Sequence, residues 1–184
     1  MTDHLKEQPS QTAGPYVHIG CVPGFAGLSG MYGGEDLGAR MVTAGTGHQA
    51  LTFSGCVFDG DGAPLTDALI EIWQAAPDGS FDLTGFSNWG RQPSDATTGQ
   101  FVFETLKPGV TGDQAPHILI WIVARGINIG LMTRAYFPDE DNSADPVFAL
   151  AGSRAITLVA AKTESGYHLD IRLQGPDETV FFDV

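Results

Sequence analysis

The five histidines are the first candidates for chemistry in this sequence, because imidazole is a common ligand of transition metals. Side chains two residues apart in a strand lie on one face, so a His-x-His pair can bind one ion. His117 begins such a spacing, but Leu119 occupies the second position. The other histidines are far apart in the sequence: His4, His18, His48 and His168. We expect His117 to be a structural histidine and this chain alone to bind no metal.

Nucleophilic catalysis and phosphate binding have little support in the sequence. It contains neither a Gly-x-Ser-x-Gly elbow nor a Gly-x-x-x-x-Gly-Lys loop. Cys56 lies in a strand pattern that is typical of a small core residue. The segment 59–62, Asp-Gly-Asp-Gly, lacks the later ligands and the terminal Glu of a calcium loop. It predicts a turn of the hairpin type.

Two other residues could bind a small acidic ligand. Arg125 follows the most apolar stretch of the chain and precedes Gly126. A guanidinium at a strand end can reach into a cleft and bind a carboxylate through two hydrogen bonds. Tyr16 follows a Gly-Pro pair in a polar segment. Local chemistry leaves both roles open, because Arg125 could pair with any nearby carboxylate and Tyr16 could simply pack on the body of the domain.

Length and charge restrict the classes of protein to consider. The chain has 184 residues, with 9 Lys and Arg against 22 Asp and Glu, which gives a net charge of −13. Nucleic acids and anionic membranes require a positive surface that this composition does not supply. No apolar run approaches the roughly 20 residues of a membrane span, no signal-peptide pattern is visible, and two cysteines cannot make a disulfide framework. We expect a soluble, cytoplasmic single domain.

The elements that must position these residues are predicted to form an all-β fold, a β-sandwich of about eight strands with long loops. Residues 1–47 are rich in Gly, Pro and Ser and predict an irregular N-terminal arm that packs on the body or on a partner chain. Residues 48–184 predict the sandwich. The almost wholly apolar segment 117–124 predicts a strand that is buried on both faces. Other strands are predicted at 51–58, 68–75, 100–106, 127–137, 155–159, 169–173 and 179–183, with one weak helix at 145–151.

Several segments, in order and at compatible spacing, resemble those of the intradiol ring-cleaving dioxygenases. The resemblance covers nearly the whole chain and implies a β-sandwich core with arms and loops. Its most specific segments are Pro-Ser-Gln-Thr-Ala-Gly-Pro-Tyr-Val-His-Ile-Gly at 9–20, Glu-Ile-Trp-Gln-Ala at 71–75, Lys-Pro-Gly at 107–109, Ala-Pro-His-Ile at 115–118, Ala-Arg-Gly-Ile-Asn-Ile at 124–129, Thr-Arg-Ala-Tyr-Phe at 133–137, Asp-Ile-Arg at 170–172 and Glu-Thr-Val-Phe-Phe-Asp at 178–183.

This resemblance implies a heteromeric enzyme that opens the ring of protocatechuate (3,4-dihydroxybenzoate) with O2 and gives 3-carboxy-cis,cis-muconate in the beta-ketoadipate pathway. In the family, two tyrosines and two histidines hold a non-haem Fe(III). Here His117 matches one histidine, Leu119 replaces the other, Val110 and Thr111 replace a Pro-Tyr pair, and the loop 77–90 contains no tyrosine. The chain therefore resembles the iron-free alpha subunit of such heteromers, and the Fe(III) is expected on an iron-bearing beta subunit.

By motif, Tyr16 and Arg125 correspond to alpha-chain residues that line the substrate cavity in the family. The resemblance implies that Arg125 balances the substrate carboxylate and that Tyr16 offers a phenolic donor and a ring wall. Arg134 is expected to form a structural ion pair, and Trp73 to fill the core or a subunit interface. Two alternatives stay open: a free-standing sandwich that binds small aromatics without catalysis, and a single-chain hydrolase or metalloenzyme that uses His117 with carboxylates.

Overall fold

Two β-sheets, stacked face to face, make up most of the protein. The computed structural model describes residues 12–183, so His4 and the first part of the predicted arm at 1–47 lie outside the described residues. One sheet has the strand order β4-β1-β8-β7, with β9 also paired to β1, and the other has the order β3-β2-β5-β6. The strands are β1 (Leu51–Phe58), β2 (Leu69–Trp73), β3 (Trp89–Pro93), β4 (Gln100–Thr105), β5 (His117–Val123), β6 (Leu131–Tyr136), β7 (Ala161–Lys162), β8 (Gly166–His168) and β9 (Ile171–Arg172). The predicted β-sandwich is confirmed.

The core lies between the sheets because apolar side chains alternate along their strands. In β4, Phe101 and Phe103 are buried between exposed neighbours. In β5, every second residue is fully buried: Ile118, Ile120 and Ile122. Each such side chain stabilises the fold by about 1.5–3 kcal/mol when it leaves water. The alternation also fixes which residues of β5 point away from the core.

The outward face of β5 is only partly buried, so the prediction of a strand buried on both faces was wrong. Its residues on that face are His117, Leu119, Trp121 and Val123. A short helix, α1 (Pro15–Cys21), lies beside this face, and its Val17 and Cys21 border a groove of about 350 Å³. A helix of two turns cannot cover a whole strand, and the face therefore remains partly open.

Helix α1 lies within the segment that was predicted to be irregular. Pro15 stands at its first position, where the missing N–H of proline costs no hydrogen bond. None of its residues is buried, and it therefore presents most of its side chains to grooves and solvent. The sequence signal for this helix was the proline, which the glycines around it obscured.

Two predicted strands are absent from the described residues, and several others are shorter than predicted. A 3₁₀ helix, Gly152–Leu158, replaces the strand predicted at 155–159, and only its Leu158 is buried. The segment 179–183 contributes one isolated bridge, between Phe182 and Met132. Pairing in 127–137 is confined to β6, and in 169–173 to β9. The helix predicted at 145–151 is confirmed as α2 (Pro146–Leu150).

The segment 59–62 is a turn of the hairpin type, as predicted, because Phe58 and Pro64 form an antiparallel bridge across it. Asp59 Oδ1 accepts hydrogen bonds from the backbone N–H groups of Asp61 and Ala63, each at 2.9 Å. After the turn, the N–H of Leu65 donates to the carbonyl oxygen of Val57 at 2.8 Å, and the chain then enters β2 in the other sheet. Cys56 is buried as predicted, and this burial raises the pKa of its thiol. Within residues 12–183, the helices are all too short or too polar to cross a membrane.

Candidate functional site

Strand β5 connects the two places where the sequence predicted chemistry. His117 is its first residue, and Arg125 follows its last residue by two positions. At about 3.3 Å per residue, the two Cα atoms lie roughly 20–25 Å apart along the strand. A single small ligand therefore cannot contact both side chains, and the two ends are separate sites.

The Arg125 end of β5 opens into a groove that we call the Arg125 groove. It encloses about 340 Å³ between α1 and the turn after β5, and its mostly apolar lining includes Pro15, His18, Phe25 and Asp67. The Nε of Arg125 donates a hydrogen bond to Asp67 Oδ2. This bond raises the pKa of Arg125, so the guanidinium is charged at any physiological pH. The groove therefore combines apolar walls with the Arg125–Asp67 ion pair.

The outer end of the Arg125 guanidinium is free to bind an anion. Its side chain is 73% exposed, and among the described residues only its Nε has a hydrogen-bond partner. The two Nη groups therefore remain as paired donors, the geometry that matches a carboxylate. An aromatic acid could lay its ring against the apolar wall and direct its carboxylate to these two groups.

Tyr16 lies on α1 next to the Arg125 groove but does not line it. It is 84% exposed and lies between Pro15 and Val17, residues of two different grooves. The structure thus brings the helix of Tyr16 close to Arg125 without bringing the two side chains together. On the same helix, His18 packs on Phe25, and its Nε2 is buried without a hydrogen-bond partner among the described residues.

The other end of β5 closes around a small space that we call the His117 cavity. It encloses about 90 Å³, and its lining includes Trp73, Phe81, Thr111, Gln114 and His117. The structure thus brings Thr111 and His117 together with Phe81 from the loop 77–90. Trp73 is 48% exposed and stacks on Phe81, with ring centroids 6.1 Å apart. Trp73 therefore does not fill the core, and its expected place at a subunit interface stays a prediction.

His117 is held as a neutral imidazole. Its Nδ1 lies 2.8 Å from the carbonyl oxygen of Ala115. Because a carbonyl only accepts hydrogen bonds, Nδ1 carries the hydrogen and Nε2 is the basic nitrogen. Burial lowers the pKa of His117, and the positive charge of Arg134 acts in the same direction. The expectation of a hydrogen-bonded structural histidine is confirmed.

The donors of the His117 cavity do not fit the Fe(III) that the resemblance implies. They comprise one imidazole, the hydroxyl of Thr111 and the neutral amides of Gln74 and Gln114, beside the apolar rings of Trp73 and Phe81. Ferric iron prefers anionic oxygen ligands such as phenolates and carboxylates, and none lines this cavity. Across residues 12–183, no group of three or more His, Cys, Asp and Glu side chains is arranged to hold a metal.

A buried carboxylate stabilises the loop that leads into His117. Asp145 is 1% exposed and accepts hydrogen bonds from the N–H of Ala115 at 2.9 Å and from the hydroxyl of Tyr136 at 3.1 Å. Burial raises the pKa of Tyr136 to about 12, so its hydroxyl remains a donor. Asp145 also caps α2 by accepting from the N–H groups of its first turn. This end of β5 thus rests on a polar scaffold that is hydrogen-bonded to the Asp145 carboxylate.

Arg134 differs from its expected role as a member of an ion pair. Its Nη1 donates to Gln114 Oε1 at 2.9 Å and to the hydroxyl of Tyr136 at 3.3 Å. Among residues 12–183, no carboxylate forms a salt bridge with it. The neighbouring Asp145 is already occupied by Ala115, Tyr136 and the first turn of α2. The ion-pair prediction was therefore wrong, although a structural role is retained.

Asp67 is the residue of the Arg125 groove that sequence reasoning missed. It is separated from Arg125 by 58 residues, and no local pattern around it indicates a partner. The sequence offered only a general indication, because an arginine in a chain of net charge −13 is expected to pair with one of many carboxylates. Only the pairing of β2 with β5 shows which carboxylate is adjacent.

Comparison with known proteins agrees with the family resemblance found in the sequence. A family model described as Dioxygenase matches residues 28–115. The chain is 39% identical over 197 residues to the protocatechuate 3,4-dioxygenase alpha chain of Pseudomonas putida, covering 97% of each chain. It is 30% identical over 173 residues to the protocatechuate 3,4-dioxygenase beta chain of Burkholderia cepacia, covering 79% of this chain and 69% of that one. Among solved structures, the chain is similar to the dioxygenase domain of a dioxygenase carbohydrate-binding protein fusion from Streptomyces sp. SirexAA-E. The TM-score is 0.55 and the identity is 30%, and the match covers 73% of this chain and 85% of that one.

Proposed function

The chain belongs to the protocatechuate 3,4-dioxygenase family of intradiol dioxygenases, and we propose that it is the iron-free, alpha-type subunit of such an enzyme. In this proposal it assembles with a beta-type chain, and the heteromer cleaves protocatechuate with O2 to 3-carboxy-cis,cis-muconate. The similarity to an alpha chain over 97% of both lengths supports the assignment of subunit type. A place in the beta-ketoadipate pathway stays a prediction.

The observation that carries the proposal is the difference in binding chemistry between the two ends of β5. The His117 cavity lacks the donors for Fe(III), whereas the Arg125 groove retains a charged group suited to an acidic aromatic substrate. A chain with these two properties fits a subunit that helps to bind the substrate while its partner supplies the metal. We therefore assign the non-haem Fe(III) to the beta-type chain.

In the heteromer, Arg125 is proposed to bind the carboxylate of protocatechuate. Asp67 holds the Nε side of the guanidinium, and the two Nη groups point the remaining donors outward. The carboxylate distinguishes this substrate from catechol, which has the same two hydroxyl groups. Arg125 thus acts on recognition of the substrate and leaves the ring-opening chemistry to the partner chain.

Tyr16 is proposed to form part of the same substrate cavity once the partner covers it. Its phenol is 84% exposed, which leaves both its ring and its hydroxyl available to a ligand or to the neighbouring chain. The arm that carries it is proposed to pack between the body of the domain and the partner. Both free cysteines, Cys21 and Cys56, are consistent with a reducing compartment, and we propose a cytoplasmic location.

Mixing the purified chains tests the subunit assignment. The chain alone is expected to hold no stoichiometric iron, to be colourless and to be inactive towards protocatechuate. Adding the iron-bearing beta-type chain should restore ring cleavage and the visible band of tyrosinate-bound Fe(III). Stoichiometric iron and cleavage by the isolated chain would contradict the proposal, and an aromatic-acid ligand without any beta-type partner in the source cells would favour the free-standing binding module.

The Arg125→Ala variant of the assembled enzyme tests the binding site. We expect KM for protocatechuate to rise roughly tenfold, the effect of losing one charge-assisted pair, with little change in KM for catechol. Arg40→Ala is a matched control, because Arg40 also forms an exposed ion pair, with Glu35, and lies outside the groove. Equal changes for both substrates would assign Arg125 to structure instead.

A further inference from the structure

We propose that Thr12 is a positioning residue for Arg125 and that its hydroxyl joins the N-terminal arm and the Arg125 turn into one substrate-recognition unit. The proposal rests on the assignment of Arg125 to the substrate carboxylate. It adds a residue whose side chain acts through the backbone of Arg125.

Arg125 stands at the tip of a tight turn after β5. The N–H of Ile127 donates to the carbonyl oxygen of Ala124 at 3.2 Å, which closes the turn. Gly126 follows Arg125 with a φ of +85°, as the third residue of a type II turn requires. The direction in which the Arg125 side chain leaves the turn therefore depends on the two peptide groups that flank it.

Thr12 binds both flanks of Arg125 through one oxygen atom. Its Oγ1 donates to the carbonyl oxygen of Ala124 at 3.2 Å and accepts from the N–H of Gly126 at 2.8 Å. A hydroxyl has one hydrogen to donate and lone pairs to accept, so a single threonine can satisfy both bonds at once. These bonds cross more than 110 residues of sequence, and they are therefore a tertiary contact and not part of a local turn.

The same contact fixes the opposite wall of the Arg125 groove. Thr12 precedes Pro15, the first residue of α1, by three positions, and Ala13, Gly14 and Pro15 all line the groove. A shift of Thr12 thus moves the turn and the arm relative to each other. With Asp67 holding the guanidinium and Thr12 holding the backbone, Arg125 is restrained at both ends before a substrate arrives, which reduces the ordering cost of binding.

The test is steady-state kinetics of the assembled enzyme with Thr12→Val, which keeps the branched shape and removes the hydroxyl. We expect KM for protocatechuate to rise about threefold to tenfold, from loss of the partly buried bond to Ala124 and the exposed bond to Gly126, with kcat and KM for catechol changed less than about twofold. Thr12→Ser, which keeps the hydroxyl, should restore KM to within about twofold of the unmodified enzyme. Thr43→Val is the matched control, because Thr43 in the same arm donates a comparable bond to the carbonyl oxygen of Gly85 at 3.0 Å, away from the groove.

The Arg125→Ala variant in the same assay separates this inference from the proposed function. If Arg125→Ala raises KM for protocatechuate and Thr12→Val does not, the positioning role is wrong while the binding site stands. If neither variant changes KM, the assignment of Arg125 to the substrate is wrong, and the positioning role of Thr12 is wrong with it. In the double variant, Thr12→Val should add no further increase in KM to that of Arg125→Ala. A Thr12→Val or Thr12→Ala chain that no longer assembles, or that changes KM for both substrates equally, would overturn the proposal in favour of a structural role.

Discussion

The two ends of strand β5 differ in size, polarity and freedom of their polar groups. At the start of the strand, the His117 cavity holds about 90 Å³ and is walled by aromatic rings, and its imidazole is neutral and hydrogen-bonded to the backbone. Beyond the end of the strand, the Arg125 groove holds about 340 Å³, and its guanidinium is charged and 73% exposed. One strand therefore carries a small site with a neutral imidazole at one end and a larger site with an exposed guanidinium at the other.

Under the proposed function, this difference illustrates how a fold can lack one chemical role of its family and keep another. Metal binding needs several donors at one point, so Leu119 and Thr111, where the family resemblance implies a histidine and a tyrosine, are enough to prevent it. Carboxylate recognition needs only one well-placed guanidinium, and the scaffold that presents it can remain intact. Changes at the His117 end should consequently appear in stability, and changes at the Arg125 end should appear in substrate recognition.

The largest effect is expected from Asp145→Ala at the His117 end. This variant removes the acceptor for the N–H of Ala115 and the hydroxyl of Tyr136, which are buried bonds, and for the first turn of α2, where the bonds are partly buried. Leaving these donors unpaired should lower the free energy of unfolding by about 3–5 kcal/mol. Urea denaturation of the full chain measures this loss. Asp141→Ala is the control, because Asp141 is exposed and accepts only from Ser143 in a local turn, and an equal loss there would contradict the argument.

A smaller effect is expected from Gly126→Ala in the Arg125 turn. A Cβ at this position meets no atom within 4 Å, so the cost comes from the φ of +85° and is roughly 1–2 kcal/mol of folding stability. Gly62 offers a matched control, with a φ of +78° and equally open surroundings. Both Gly→Ala variants should lose similar stability, but only Gly126→Ala should raise KM for protocatechuate relative to catechol. A rise in KM of the same size in Gly62→Ala would show that the kinetic effect is nonspecific.

The fold was predictable where burial follows the local pattern of residues. Strands β1 and β4 alternate in hydrophobicity, and the sequence predicted both. Strand β3 was missed because Gly90, Arg91 and Pro93 have low strand propensity, and its pairing with β2 overrides that preference. In the opposite direction, Ile156 and Thr157 favour a strand locally, but the chain enters them directly from α2 and continues as a 3₁₀ helix. Pairing with β2 decided the case of β3, and continuity with α2 decided the case of residues 152–158.

The residues of the candidate site also divide into those that the local sequence predicts and those that only the structure reveals. Arg125 could be predicted from the end of an apolar strand followed by glycine, and His117 from its incomplete spacing with Leu119. Asp67 and Thr12 could not, because their partnership with the Arg125 turn depends on hydrogen bonds across 58 and more than 110 residues. Side chains that hold a functional residue in place thus need the structure, while the functional residue itself carries a local signal.

The smallest effect concerns the pH dependence of stability at the His117 end. Burial lowers the pKa of His117 in the folded chain, while the unfolded chain keeps the usual value of about 6.5. Between these two values the unfolded state binds more protons, so stability rises with pH and is lost as pH falls below about 6.5 towards the folded pKa. In His117→Asn, the side-chain amide can still donate to the carbonyl oxygen of Ala115, but it has no group that titrates in this range. We expect urea unfolding between pH 8 and pH 5 to show a shallower decline for His117→Asn than for the unmodified chain, because one proton-linked loss has been removed. Parallel declines would mean that His117 is solvated in the folded chain, and the closed character of that end of β5 would then have to be abandoned.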